Sequence, residues 1–208
     1  MHRRIPEETI IRLSYYLRVL IYLKEEERKE LVSSSEIAHI LKMSPHQLRK
    51  DLSYFGHFGK KGVGYSVSKL IQNLKEILGL NKKWYACVIG FGNLGKALSF
   101  YKGFKDQGIF IKVAFDVNPK KIKNYSGLKV YPIEKMEEII KKEKIKIGIV
   151  TVPKDVAKEI SNKLLKSGIK AIFNFAPIKL DLPKEIIFKN VDLSCQLAYL
   201  TYRLKLLE

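Results

Sequence analysis

Three glycines and one acid carry the most specific chemical signal in this chain. Gly90, Gly92 and Gly95 form the spacing GxGxxG, with Phe91, Asn93 and Leu94 between them. The apolar run Tyr85–Ile89 feeds into this turn, and the helical pattern Lys96, Ala97, Leu98, Phe100, Tyr101 follows it. A strand, a glycine turn and a helix in that order make a phosphate-binding unit. The first glycine permits the tight turn, the second lets backbone approach a pyrophosphate, and the third lets helix and strand pack closely. The free N–H groups and positive dipole end of the helix attract the phosphate charge. A second apolar run, Phe110–Phe115, ends in Asp116, 21 positions after Gly95. An acid there accepts hydrogen bonds from adenosine ribose hydroxyls, and its charge favours NAD over a 2′-phosphorylated nucleotide. Lys120 and Lys121, just beyond it, temper that preference.

The elements that must position these residues can be read onwards from Asp116. A strand over Leu128–Tyr131 and a helix over Ile133–Lys144 precede the apolar strand Ile145–Val152, which closes in Thr151-Val152-Pro153. A helix over Asp155–Ser167 leads to the strand Ala171–Phe175, closing in Asn174-Phe175-Ala176-Pro177, and a last strand covers Glu185–Val191. Such alternation predicts an α/β fold with a Rossmann-type, doubly wound parallel sheet. Ligands of these sheets sit beyond the carboxyl ends of the strands. The turn Gly90–Gly95, Asp116, Thr151–Pro153 and Asn174–Pro177 should therefore converge on one crevice. A nicotinamide enzyme also needs a proton donor or acceptor beside the hydride. All the histidines (His2, His39, His46 and His57) fall in the first 80 residues, and no HExxH, nucleophile elbow or paired-acid motif occurs. Tyr101, Lys96 and Lys154 are available, but nothing marks them out. A nucleotide without a catalytic partner points to a sensed ligand and not to an enzyme.

The first 80 residues read as a separate, helical domain. A helix from Ile5-Pro6 to about Lys24 places Ile10, Leu13, Leu17, Leu20 and Ile21 at helical spacing. The serines Ser33-Ser34-Ser35 offer N-caps for a short helix, Glu36–Leu41, with Ile37, Ala38, Ile40 and Leu41 inward. Ser44-Pro45 then caps and starts a second short helix through Tyr54. Two short helices so tightly joined make a helix-turn-helix candidate. Leu48, Leu52 and Phe55 form its packing stripe, leaving His46, Gln47, Arg49, Lys50 and Ser53 outward, types that suit base edges and phosphates. Ser44 and Tyr54 complete the candidate contact set, although Tyr54, like Phe55 and Phe58, also suits packing of a wing against the helix. The stretch Gly56–Tyr65 is a glycine-punctuated hairpin with Lys60 and Lys61 at its tip, as a winged helix requires. A helix over Val67–Leu78 and the linker Gly79–Lys83 end this part. The expected domains are 1–80 (winged helix), 81–191 (Rossmann) and 192–208 (C-terminal helix).

Composition sets the outer limits. The 208 residues suffice for two small domains with real cores. No apolar run is long enough to span a bilayer and no signal-peptide pattern opens the chain, so a cytoplasmic protein with no membrane partner is expected. Cys87 and Cys195 make neither a disulfide framework nor a metal-ligand spacing, and no metal is expected. Although the formal net charge is +18, residues 1–80 carry 14 Lys/Arg against 9 Asp/Glu, and residues 81–208 carry 25 against 12. Bulk charge thus favours a polyanionic partner without locating its site. In the last helix, capped by Asp192 or Ser194, Leu193, Leu197, Leu200, Leu204 and Leu207 line one face, which needs its own sheet or a second subunit to cover it.

Taken together, these residues resemble the redox-sensing transcriptional repressors of the Rex family over nearly the whole chain. The resemblance is carried by Ile5-Pro6, Tyr16-Leu17-Arg18, Gln47-Leu48-Arg49-Lys50-Asp51-Leu52-Ser53-Tyr54-Phe55-Gly56 and Gly62-Val63-Gly64-Tyr65. The second half adds Ile77–Leu80, the glycine turn, Tyr101-Lys102-Gly103-Phe104, Phe115-Asp116-Val117, Thr151-Val152-Pro153, Asn174–Pro177 and Asn190-Val191-Asp192. It implies a homodimer with exchanged C-terminal helices that binds a palindromic double-stranded DNA operator when the NADH/NAD ratio is low. NADH, as a sensed ligand, would close the dimer and release DNA. It further implies that Tyr101 and Asp192 pair across subunits in the NADH state. Arg18 would lie at the moving interface between domains, opposite an acid near the C-terminus, where this chain reads Leu206-Leu207-Glu208. Two other classes stay open: a small NAD-dependent reductase with a helical appendage, and a CoA-binding module, against which Asp116 argues.

Overall fold

The computed structural model describes residues 5–60 and 62–207. They form two compact units, Met1–Lys82 and Lys83–Glu208.

In the first unit, α1 (Glu7–Glu25) buries Leu13, Tyr16, Leu17, Leu20 and Leu23 along one face. A short strand, β1 (Leu31–Val32), precedes α2 (Ser34–Ile40) and α3 (Pro45–Ser53). Helix α2 starts two residues before the sequence pattern indicates because Ser33 makes a full capping box. Its Oγ accepts from Glu36 N at 3.1 Å, and Glu36 Oε2 accepts from Ser33 N at 2.8 Å. Ile40, expected inward, is exposed at the last turn. Ser44 caps α3 and Pro45 opens it, as expected. The wing is β2 (Gly59–Lys60) and β3 (Gly64–Ser66), and β3 lies between β1 and β2 in an antiparallel sheet. Gly64 has φ +97°, and a Cβ there would meet the Val32 carbonyl oxygen at 2.5 Å, so the crossing of β3 and β1 requires glycine. Finally, α4 (Val67–Ile77) buries Val67, Leu70, Ile71 and Leu74 against α1.

The second unit is the doubly wound sheet. Its elements are β4 (Trp84–Ile89), α5 (Asn93–Ser99), α6 (Lys102–Asp106), β5 (Ile109–Asp116), β6 (Asn124–Tyr125), β7 (Leu128–Pro132), α7 (Met136–Lys142), β8 (Ile147–Val150), α8 (Lys154–Lys166), β9 (Ala171–Asn174), β10 (Ile187–Asn190) and α9 (Leu193–Lys205). The strand order is β10-β9-β8-β4-β5-β7-β6, parallel except for β6, a two-residue edge strand without a periodic signal of its own. One face packs Ile89, Phe115, Ile139, Ile160 and Leu164; the other packs Val88, Phe91, Ala114 and Ile149. The helical pattern after the glycine turn splits in two. The Ser99 hydroxyl donates to Gly95 O at 2.7 Å, the chain tightens at Phe100, and Tyr101 starts α6. Nearly all of α9 is exposed, including Leu193, Leu197, Leu200 and Leu204.

Candidate functional site

The turn is built as its glycines require. Gly90 lies in the left-handed region at φ +92°, and its N–H donates to Phe115 O at 2.8 Å. A Cβ on Gly95 would sit 1.9 Å from Gly90 O and 2.7 Å from Thr151 Oγ1, so helix and strand meet at a distance only glycine allows. A Cβ on Gly92 would meet nothing within 4 Å. That open space lies where backbone should approach a phosphate. The Thr151 hydroxyl ties β8 to the turn, donating to Gly90 O at 2.7 Å and Ile89 O at 3.0 Å.

Asp116, at the end of β5, is buried and holds three donors. Phe91 N donates to Oδ2 at 2.7 Å, Asn118 N to Oδ1 at 2.8 Å, and Lys121 Nζ lies 3.2 Å from Oδ2. The acid thus clamps the glycine turn as well as facing the crevice. That crevice, about 580 Å³, is lined by Gly90, Gly92, Leu94, Asp116, Thr151, Val152, Pro153 and Phe175 of the expected residues. Other expected residues lie elsewhere. The Phe91 ring is drawn into the core against Tyr125, with centroids 4.9 Å apart. Asn174 is fully buried and satisfied internally: its amide donates to Ala176 O at 2.8 Å and Asn190 Oδ1 at 2.6 Å, and its Oδ1 accepts from Ala176 N. Ala176 is buried with it, while Asn93 and Pro177 are exposed outside the lining. One wall belongs to no sequence motif and is made by Val156, Glu159, Ile160 and Lys163 of α8, with Val117, Lys121 and Ile133 beside it. The i, i+3, i+4, i+7 spacing in α8 was the available signal.

In the first unit, His46, Arg49, Lys50 and Ser53 of α3 are exposed, as is Lys60 of the wing, whereas Lys61 lies outside the described residues. Arg49 Nη1 donates to Ser34 Oγ at 2.8 Å, and both residues face a groove of about 560 Å³ between α2, α3 and the wing. Ser44 serves as the α3 cap and the Ser53 hydroxyl donates to Lys50 O. Tyr54, half-buried, ends the helix. Gln47 is not free: its Nε2 donates to Asp51 Oδ1 at 2.8 Å. Asp51, whose role no local sequence pattern reveals, is fully buried and paired with Arg12 of α1 at 2.6 Å.

Arg18 is exposed on α1, and Tyr101 is exposed at the start of α6, edge-on to Phe104. Asp192 caps α9, its Oδ1 accepting from Ser194 N at 3.0 Å and Cys195 N at 3.3 Å. Glu208, the acid in the C-terminal stretch Leu206-Leu207-Glu208, lies outside the described residues. Cys87 is buried, which pushes its thiol pKa up, and Cys195 is exposed. Among the described residues no cluster of three or more His, Cys, Asp or Glu could hold a metal, and no helix is long and apolar enough to cross a membrane.

Known proteins resemble both units. Residues 4–53 match the family model described as a putative DNA-binding protein N-terminus, and residues 81–178 match that of a CoA binding domain. A redox-sensing transcriptional repressor Rex from Desulfitobacterium hafniense is 47% identical over 202 residues, covering 96% of this chain and 95% of the relative. Another, from Pelotomaculum thermopropionicum, is 47% identical over 97% of this chain and 94% of the relative. Among solved structures, RSP in complex with beta-NAD+ and operator DNA is 39% identical, with TM-score 0.90, covering 97% of this chain and 94% of its own. RSP in complex with beta-NADH is 37% identical, with TM-score 0.88, covering 97% and 95%.

Proposed function

The chain belongs to the Rex family of redox-sensing transcriptional repressors, and we infer from this membership and from its two sites how it works. It is a DNA-binding repressor and not an enzyme. Its grip on a palindromic operator follows the NADH/NAD ratio: the nucleotide is a sensed ligand, and NADH releases the DNA. One observation carries the reading. A 39% identical relative that superposes over 97% of this chain holds beta-NAD+ and operator DNA together. The match to a CoA binding domain model concerns the sheet alone, and the buried acid at the end of β5 suits a ribose.

Gly90, Gly92 and the first turn of α5 take the pyrophosphate, Asp116 faces the adenosine ribose, and Thr151–Pro153 with Phe175 wall the crevice. On the DNA side, His46, Arg49, Lys50 and Ser53 of α3 contact the major groove, and Lys60 with Lys61 reaches phosphates from the wing. The exposure of His46, Arg49, Lys50, Ser53 and Lys60 supports the assignment. A second copy of the chain covers the apolar face of α9, giving a homodimer to match a palindrome. Arg18, Tyr101 and Asp192 carry the switch. As a DNA-binding repressor it works where its operator lies, and we place it in the cytoplasm.

The test is to bind the protein to an operator-like, AT-rich palindromic duplex at fixed salt and titrate with NADH and, separately, NAD+. Release by NADH and not by NAD+ is expected. DNA binding indifferent to both nucleotides would assign the crevice to another ligand, with CoA next to try.

A further inference from the structure

Two kinds of contact hold α3 in its unit. Leu48 and Leu52 press into the apolar core. Such packing is non-directional and tolerates small rotations of the helix. Asp51, next to Leu52, is fully buried and accepts hydrogen bonds from four side chains. Thr9 Oγ1 donates at 3.1 Å, Arg12 Nε and Nη2 at 2.6 and 2.9 Å, Tyr16 OH at 2.7 Å and Gln47 Nε2 at 2.8 Å. Thr9, Arg12 and Tyr16 stand on one face of α1, at i, i+3 and i+7. Arg12 grips both oxygens with a planar fork, which fixes angle as well as distance.

A buried ion pair is a poor route to stability, since apolar residues of similar size often hold a fold as well or better. What it supplies is orientation. Successive residues of a helix point about 100° apart, so a modest rotation of α3 would re-aim Arg49, Lys50 and Ser53. Hydrogen bonds to base edges weaken steeply with misalignment, whereas attraction to phosphates does not. The amide of Gln47, drawn inward to Asp51, is already engaged.

We propose that Asp51, clamped by Thr9, Arg12 and Tyr16, is the positioning residue that sets the rotation of α3 and so the sequence specificity of DNA binding. Gln47 acts through this clamp and not by reading a base. The inference rests on the repressor reading above and adds which buried residues aim the recognition helix.

The test uses the full chain. A duplex selected by the wild-type protein from a randomised pool, and a scrambled version of it, probe Arg12→Lys, Tyr16→Phe and Gln47→Ala, each checked for cooperative melting. Arg12→Lys should bind the selected duplex about tenfold more weakly or worse, the worth of roughly one mismatched base pair. Its affinity for the scrambled duplex and its salt slope should stay at wild-type values, because the phosphate contacts are untouched. Tyr16→Phe should shift the ratio the same way, by less. Gln47→Ala should lose a little discrimination at every position, whereas a base-reading glutamine would lose it at one base pair. An unchanged selected-to-scrambled ratio in the folded Arg12 and Tyr16 variants, or a Gln47→Ala loss confined to one base pair, overturns the clamp. If one variant does not fold, the other two decide. A wild-type chain that selects no duplex overturns the repressor reading itself and the clamp with it.

Discussion

Gly92 and Gly95 lie three residues apart and should fail for opposite reasons when given a methyl group. At Gly95 the new Cβ would sit 1.9 Å from the Gly90 carbonyl oxygen, so backbone must move. Gly95→Ala should lower the melting temperature, at a cost of about 1–3 kcal/mol or more, and lose NADH binding. At Gly92 there is nothing within 4 Å. Gly92→Ala should therefore melt like wild type while its NADH affinity falls about tenfold or more, the methyl group taking the space a pyrophosphate needs. Thermal melts and NADH fluorescence titrations separate the two, and normal NADH binding by Gly92→Ala would remove the pyrophosphate from this turn. A parallel contrast holds for two lysines. Lys50→Ala should weaken specific operator binding by roughly 1–3 kcal/mol and leave NADH affinity nearly unchanged. Lys60→Ala should instead reduce the salt slope and weaken all sequences alike. Binding assays across a salt series read both, and equal operator binding by Lys50→Ala would take α3 out of the interface.

At the scale of elements, the union of α1 and α3 through Asp51 predicts how the first unit responds to acid. Burial raises the pKa of Asp51, and hydrogen bonds from Arg12, Tyr16 and Gln47 outweigh it, so the carboxyl lies below its ordinary value. Glu36 is held at about 2 by Lys29 first and then by the Ser33 backbone N–H, although its exposure limits what this contributes. For a depressed folded-state pKa, the stability contribution is full above the unfolded value of about 4 and is lost as pH falls through the folded one. Asp51→Asn, which leaves a partly exposed Arg12 without its carboxylate, should cost about 1–3 kcal/mol near neutral pH and show a shallower loss on acidification. Melting curves taken from neutral pH down to about 2 check this, and parallel curves for the two proteins would contradict it. The glycine turn can be read because a left-handed Gly90 and a contact-limited Gly95 are written into residue identity. The α3 start can be read because Ser44-Pro45 is local chemistry. The break between α5 and α6 cannot, since the apolar period runs through it and no residue type marks the tightening at Phe100. Asn174 reads as a ligand contact at a strand end, yet its partner Asn190 is brought to it only by β10 pairing with β9. Asp51 reads as one acid in a basic helix, because three of its four donor side chains come from a helix some forty residues earlier.

At the scale of the whole molecule, α9 exposes Leu193, Leu197, Leu200 and Leu204 along its length, with Leu207 exposed just beyond it, more apolar surface than a lone helix would keep in water. Ending the chain after Asp192 should convert a dimer into monomers in sedimentation equilibrium and weaken operator binding, since two half-sites are then read separately. A truncated chain that stays dimeric would move the interface elsewhere. The central claim is that the crevice and the recognition helix belong to one thermodynamic system. Linkage makes that claim reciprocal: if NADH weakens DNA binding, DNA must weaken NADH binding by the same factor, with coupling of about 1–3 kcal/mol or more. The decisive measurement is therefore the NADH dissociation constant with and without saturating operator duplex, at one salt concentration. Weaker NADH binding is expected in the presence of DNA, by the factor that NADH imposes on the duplex. An NADH affinity indifferent to bound DNA would contradict it.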